Sequence, residues 1–322
     1  MRLAGSRWGL FLLAAAVIST CVHAGEYPER AVRIIAAGQG SLMDVVARQL
    51  GRRLSERWGQ PVVVENKPGA AFTIGTAVAA HAKPDGYTLV MSDRTALAAA
   101  PHLYKDLAYD PFKDFAPVSL VAVAPLVLVA HPSFPATTMQ ELVEYARRNA
   151  GLQFGTQGMT TTAHFAGELL RVETGISPQY VHYKGAAESQ LAMLRGEVLV
   201  GFTNGPSTYP LIAAKRLKAF AVTSSTRLAA APEIPTTAEV GYPGVELEYW
   251  VGMLAPAGTP SAVIAKLNTD IASELRTADM QSVLLKQGAE IAVGTPQEFA
   301  ARLRADHARI GHDAQRIGFS VE

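Results

Sequence analysis

Strand-like apolar runs alternate with amphipathic, helix-like segments along most of this chain. The first example is "AVRIIAA", which is followed over 42–57 by Val46, Leu50 and Leu54 on one helical face. Near-continuous apolar strands between amphipathic helices are typical of a parallel sheet with helices on both faces. The alternation therefore predicts an α/β protein.

The same pattern locates the other predicted elements. Strands are predicted at "PVVVEN", "YTLVMS", "LQFGT", "QYVHY", "VLVGFTN", "LKAFAVTS" and "YWVGMLAP". Helices are predicted at about 73–82, 139–149, 162–173, 186–195, 207–215, 260–276, 279–287 and 296–317. Three helix starts carry explicit signals: a capping box at Thr138 and Glu141, and Thr-Pro pairs at 259–260 and 295–296 that place threonine at the N-cap and proline at N1.

Two α/β sets of this size predict two lobes with largely parallel, mixed sheets, a hinge and a central cleft. The closing helices need a sheet to pack on, so the chain is expected to return to its first lobe near its end. We predict lobe I over 25–123 and 236–322, and lobe II over 124–235. Clefts of this kind are common ligand sites.

Residues 1–24 are predicted to be an export signal. Arg2 and Arg7 precede the apolar run "WGLFLLAAAVI", which is too short to span a bilayer, and "VHA" forms a small-residue cleavage site ending at Ala24. We expect cleavage before Gly25 and a soluble protein in the periplasm. The alternative is a lipid anchor on Cys21, which is disfavoured because a threonine precedes it.

Charge and motifs exclude several classes of function. Removal of the signal leaves 27 basic and 28 acidic side chains, a near-neutral balance that argues against nucleic-acid or membrane-surface binding. The chain has no G-x-S-x-G, H-E-x-x-H or C-x-x-C motif, and its eight histidines lack metal-binding spacing. "GQGSLMD" is a broken dinucleotide fingerprint, because Met43 replaces the third glycine. We therefore predict a protein that is not an enzyme and has no cofactor and no metal.

Two glycine–hydroxyl corners point to anion binding instead. In "RIIAAGQGSLMD", Gly38 and Gly40 allow close backbone approach, and Ser41 with Asp44 forms a helix cap. "FGTQGMTTTAHF" repeats this layout with Gly158, a threonine run and a helix start at 161 or 162. Free N–H groups at a helix start favour anions. The alternative is a pair of unrelated, well-capped turns.

Two single residues also have two interpretations each. Arg94 follows the strand "YTLVMS", where it is either a surface charge or a bidentate partner of a carboxylate. His164 lies in the first turn of a helix, where packing or hydrogen bonding is favoured over metal ligation.

Nine segments in this order resemble one family. They are "YPERAVRII", "GQPVVVENKPGA", "KPDGYTLVMS", "YDPFKDFAPVSLVA", "HFAGELL", "VHYKGAAESQLAML", "LKAFAVTS", "PTTAEVGYPGVELEYWVGMLAPAGTP" and "GTPQEFAARL". The chain resembles the Bordetella uptake gene (Bug) family, the extracytoplasmic solute receptors of tripartite tricarboxylate transporters. The resemblance implies a type II periplasmic binding protein fold, closure of two lobes, capture of a small organic acid and delivery to membrane permease subunits, by a monomer.

The resemblance also implies that both corners hold ligand carboxylates. Together with the corner analysis, it predicts as ligand-binding residues Gly38, Gln39, Gly40, Ser41, Asp44, Arg94, Gly158, Met159, Thr160, Thr161, Thr162, His164, Lys184 and Asn204, with Tyr183 and Gly185 close by. The alternatives are an exported ligand sensor that does not serve a transporter, or an exported enzyme.

The chain departs from the family pattern at four places. The first corner lacks the usual prolines and is one residue shorter, which predicts a looser loop. Met159 interrupts the second corner, Ala71 and Phe72 replace two glycines, and Arg94 replaces a small or amide residue. A bulkier, partly apolar or aromatic acid is therefore as consistent with the sequence as a dicarboxylate.

Overall fold

The computed structural model describes residues 27–38, 41–156, 161–183, 186–228, 231–287 and 289–318. The predicted export signal lies outside these residues. Within the described ranges, no helix combines the length and the apolar character needed to cross a bilayer.

The described strands alternate with helices as predicted. The strands are β1 Val32–Ala36, β2 Val62–Asn66, β3 Thr88–Asp93, β4 Phe115–Ala130, β5 Gln153–Thr156, β6 Gln179–His182, β7 Val200–Asn204, β8 Lys218–Val222, β9 Glu248–Pro256 and β10 Glu290–Ile291. The helices are α1 Leu42–Trp58, α2 Thr73–Ala80, α3 Ala100–Leu103, α4 Met139–Arg148, α5 Thr162–Thr174, α6 Ala186–Leu194, α7 Gly205–Ala213, α8 Ser261–Leu275, α9 Ala278–Lys286 and α10 Pro296–Ile317. Short 3-10 turns occupy Ala70–Phe72 and Pro243–Val245, and a π-helical turn occupies Thr95–Ala99.

The strands form one mixed sheet in the order β2-β1-β3-β9-β4-β7-β5-β6, with β8 and β10 also pairing with β4. Strand β1 is parallel to β2 and β3, and β5 is parallel to β6 and β7. Strands β4 and β9 run antiparallel to their neighbours in the middle. This mixed α/β architecture confirms the predicted fold class.

Strand β4 joins the two ends of the sheet. Its residues 115–125 pair with β9, whereas its residues 126–130 pair with β7. The partner changes at Pro125, whose backbone has no N–H to contribute to either ladder. The sequence analysis did not predict this 16-residue strand. We call the part built on residues 115–125 the first sheet half and the part built on 126–130 the second sheet half.

Each sheet half has helices on both faces. On the first half, α1, α8 and α9 cover one face, and α2 and α10 cover the other. On the second half, α4 and α5 pack on one side, and α6 and α7 on the other. The closing helices return to the first half as predicted: Ile271 of α8 and Leu284 of α9 lie in the same apolar cluster as Ile34 of β1.

Local capping fixes several helix starts. The capping boxes at Thr138 with Glu141 and at Thr295 with Glu298 are both complete, which confirms the predicted starts of α4 and α10. The predicted start of α8 is wrong by one residue, because Pro260 and not Thr259 is its N-cap. The Thr259 hydroxyl instead donates to the carbonyl oxygen of Pro256 at 2.7 Å, which closes the turn before the helix.

Candidate functional site

The first corner connects β1 to α1. Ser41 is the N-cap of α1: its hydroxyl accepts from the backbone N–H of Asp44 at 3.4 Å and donates to the carbonyl oxygen of Gly38 at 2.8 Å. One side chain therefore both caps the helix and holds the turn closed, which confirms the predicted cap. The predicted site residues Gln39 and Gly40 lie outside the described residues.

Asp44 supports this corner from within the fold. The residue is 7% exposed, and its Oδ1 accepts from Arg48 Nε and Asn66 Nδ2, both at 2.8 Å. Asn66 is the last residue of β2, so this contact ties the first turn of α1 to the neighbouring strand. The predicted ligand contact of Asp44 stays a prediction.

A second segment lies against the first corner. A Cβ placed on Gly38 would stand 2.7 Å from Cε1 of Phe72 and 2.8 Å from Oγ of Ser41. The Phe72 ring and the Ser41 hydroxyl therefore flank the same glycine. Sequence analysis recorded Phe72 as a departure from the family but did not predict it as a site residue.

The second corner repeats this cap in the other sheet half. Thr161 is the N-cap of α5, and its hydroxyl accepts from the backbone N–H of His164 at 3.4 Å. Thr162 is the first helical residue, as predicted. The predicted residues Gly158, Met159 and Thr160 lie outside the described residues.

His164 packs within the second sheet half. Its side chain is 6% exposed, and its ring lies edge-on to Tyr180 at 4.3 Å and tilted against His182 at 5.5 Å between centroids. Burial is the main cause that lowers the pKa of His164, which favours the neutral ring. The packing interpretation is therefore confirmed, and a ligand contact stays a prediction.

The remaining predicted residues of the second sheet half lie at the ends of neighbouring parallel strands. The backbone N–H of Tyr183, just after β6, donates to the carbonyl oxygen of Thr156, at the end of β5, at 2.8 Å. Asn204 ends β7 and occupies the N-cap position of α7, and its carbonyl accepts from the Thr208 hydroxyl at 2.7 Å. Because β5, β6 and β7 are parallel, Thr156, Tyr183 and Asn204 belong to the same edge of the sheet, and Thr161 follows Thr156 in the chain. Lys184 and Gly185 lie outside the described residues.

Arg94 is buried and faces α10, the last helix. It is only 4% exposed, so the surface-charge interpretation is wrong. It lines a cavity of about 230 Å³. The other polar residues of the cavity wall lie in β9 or just before it (Glu248 and Glu246) and in α10 (Arg302, Asp306 and Arg309). Its Nε lies 4.0 Å from Asp306 Oδ2, and Nε and Nη2 donate no hydrogen bond to the described residues. Burial lowers the pKa of Arg94 to about 10.

Asp93 is a buried acid that sequence analysis missed. It ends β3 beside Arg94, and its Oδ1 accepts from the backbone N–H of Ala96 at 2.9 Å. Burial raises the pKa of Asp93 to about 6, although hydrogen bonds from Ala96, Tyr249 and Thr95 act in the opposite direction. Its position directly after an apolar parallel strand was the available signal.

Among the described residues, no metal site is found, and the large cavity does not involve the two corners. No group of three His, Cys, Asp or Glu side chains among them could hold a metal ion. A cavity of about 820 Å³ lies between α7 and α9, where Tyr209 and Leu285 contribute to its wall. None of the described corner residues lines it, so its size alone does not mark it as the ligand site.

Comparison with known proteins identifies the family of this chain. A family model described as "Tripartite tricarboxylate transporter family receptor" matches residues 46–319. Protein BugT of Bordetella pertussis is 34% identical over 293 residues, which are 90% of this chain and 90% of BugT.

Two solved structures share both fold and sequence with this chain. The R. palustris protein Rpa4515 with adipate has a TM-score of 0.77 and 32% identity, over 91% of this chain and 99% of that chain. The periplasmic binding protein BugD has a TM-score of 0.75 and 33% identity, over 92% of this chain and 100% of that chain. The predicted resemblance is confirmed: this chain belongs to the tripartite tricarboxylate transporter receptors of the Bug type, which are substrate-binding proteins.

Proposed function

We propose that this receptor captures a small organic carboxylate between its two corners and delivers it to the permease subunits of a tripartite tricarboxylate-type transporter. The observation that carries the proposal is the repeated corner. Ser41 and Thr161 each cap a helix that directly follows a parallel strand, one in each sheet half. Helix starts of this kind offer backbone N–H groups and a favourable dipole to a carboxylate.

Packing supports a shared space for the two corners. Phe165 of α5, four residues after Thr161, packs against both the apolar cluster of its own sheet half and the cluster that contains Val90 and Trp250. The start of α5 is therefore held against the first sheet half. The structure of Rpa4515 with adipate supports a carboxylate as the ligand class.

The proposed division into lobes follows the boundary between the two sheet halves. We infer that lobe I comprises 25–123 and the chain from β9 to 322, and that lobe II comprises 124–247. In support of the first boundary, which is the predicted one, buried Ala124 packs in a cluster of the first sheet half and Leu126 in a cluster of the second. Leu247 still packs with the second sheet half and Trp250 with the first, which supports a return crossing just before β9 and later than the predicted 236. The two crossings, within β4 and before β9, are the proposed hinge.

The remaining parts of the proposal concern location and chemistry. We infer that the protein is exported, is cleaved after Ala24 and acts in the periplasm as a monomer. We further infer that it binds its acid without changing it, because the corners present hydroxyl and backbone donors and no nucleophile–base pair was recognised in the sequence.

Isothermal titration of the mature protein with mono- and dicarboxylates tests this function. We expect micromolar or tighter binding of at least one acid, and mass spectrometry of the recovered ligand should show the unchanged acid. Turnover of the acid would support the enzyme interpretation. Absence of binding across the acids would overturn the proposed ligand class.

A further inference from the structure

The segment before α2 has an unusual backbone. Gly69 has φ 126°, and the three residues after it also have positive φ: Ala70 at 45°, Ala71 at 50° and Phe72 at 71°. The left-handed region suits glycine, because a Cβ crowds the neighbouring carbonyl there. Three consecutive residues with a Cβ in this region require support from their surroundings.

Hydrogen bonds within the segment, and one connection to β3, provide that support. The N–H of Phe72 donates to the carbonyl oxygen of Gly69 at 2.9 Å, and the Thr73 hydroxyl donates to that of Ala70 at 2.7 Å. The buried Thr76 hydroxyl donates to the carbonyl oxygen of Phe72 at 2.9 Å and pairs with the Ser92 hydroxyl of β3 at 2.9 Å. The backbone at Phe72 is therefore tied to the strand that ends beside the first corner.

This backbone directs the Phe72 ring onto the first corner. The ring approaches Gly38 with Cε1 and Cδ1, which would stand 2.7 and 3.2 Å from a Cβ at that position. The ring packs on the core of the first sheet half but stays partly exposed. An aromatic surface thus stands next to the Ser41 hydroxyl and the start of α1.

We propose that Phe72 is a specificity-determining residue, and that this receptor prefers carboxylates that carry an apolar or aromatic group close to the carboxylate over small hydroxylated diacids. The proposal rests on the proposed function, because it requires a carboxylate at the first corner. A ring beside the corner gains contact with an aryl or alkyl group. A hydroxyl group in the same place loses hydrogen bonds to water without a replacement from the ring.

Two glycine variants separate the ring from the backbone. Phe72→Gly removes the ring and also the strain that a Cβ causes at positive φ, so the variant is expected to fold. Ala71→Gly relieves the same kind of strain one residue earlier and keeps the ring. Titration of wild type and both variants with phenylacetate, benzoate, adipate and malate measures the preference directly.

We expect the wild type to bind phenylacetate or benzoate more tightly than malate. Phe72→Gly should reduce the ratio of aromatic-acid to malate affinity at least tenfold, whereas Ala71→Gly should leave it unchanged. An unchanged ratio in Phe72→Gly, an equal change in Ala71→Gly, or a wild-type preference for malate would overturn this inference while leaving the receptor function intact. Binding of none of the four acids would count against the proposed function itself.

Discussion

Removal of the Thr161 hydroxyl tests the second corner most directly. The hydroxyl oxygen accepts from the N–H of His164 at 3.4 Å and caps α5. The cap uses a lone pair of the hydroxyl oxygen, whereas donation to a carboxylate would use its proton. Thr161→Ala should therefore weaken both the fold and the binding of the ligand, by separable amounts.

The two losses have different expected sizes. Loss of a threonine N-cap costs about 0.5–2 kcal/mol, and the long 3.4 Å contact favours the lower end of that range. Loss of a hydrogen bond to a charged acceptor costs about 1.5–3 kcal/mol, which raises Kd roughly 10- to 150-fold. Titration calorimetry measures the second loss, and thermal or urea unfolding of the ligand-free protein measures the first.

Thr138→Ala is the matched control. Thr138 caps α4 with its hydroxyl and takes part in a complete capping box, but it does not belong to either corner. It should lose about 0.5–2 kcal/mol of stability and keep wild-type affinity. If Thr161→Ala behaves in the same way, with lower stability and unchanged affinity, then Thr161 is only a cap and the reasoning about the second corner is wrong.

Three further predictions concern the buried charges and the N-terminus. Arg94→Met should keep wild-type affinity and equal or greater stability, because two nitrogens of the buried Arg94 donate no hydrogen bond to the described residues and Asp306 keeps Arg302 and Trp250 as partners; a tenfold loss of affinity would show that Arg94 reaches the ligand. The folded-state pKa of Asp93 is raised from its ordinary 3.8 to about 6, so ionisation of Asp93 lowers stability as pH rises through that window. Urea unfolding should therefore show an advantage of Asp93→Asn over wild type that grows across this window, and an advantage independent of pH would contradict the assignment. Intact mass of the exported protein should place its N-terminus at Gly25, whereas a diacylated Cys21 would contradict a cleaved, soluble form.

Sequence alone predicted the elements whose signals are local. The capping box of α4 and the Thr-Pro start of α10 each lie within four consecutive residues, so no distant contact is needed to read them. The corner caps at Ser41 and Thr161 are equally local. The family resemblance then added an expectation that these patterns leave open, namely that the two corners bind one ligand.

Some features that depend on distant partners were not predicted. The two parts of β4 pair with β9 and with β7, which lie far away in sequence, so the sequence did not predict that one continuous strand crosses from one sheet half to the other. Arg94 illustrates the same limit for a side chain. Its burial depends on Asp306 and Arg302 of α10, and a lone arginine after a strand gives no sign of them.

The effect of the replacement of two family glycines by Ala71 and Phe72 becomes clear only from the fold. The sequence shows that alanine and phenylalanine stand where glycines are usual, but this alone is compatible with a changed backbone or with a strained one. The structure has a left-handed backbone here, of the kind that suits glycine, and the Thr76 hydroxyl holds the carbonyl of Phe72 and is itself paired with Ser92 of β3. With this backbone, the Phe72 side chain occupies space that a glycine would leave open, and that space lies beside Gly38 in the first corner. The ring therefore lies where a carboxylate is expected to bind. A loss of folded protein would lower the apparent affinity for every acid equally, so a changed ratio of affinities in Phe72→Gly reports on ligand choice and not on folding.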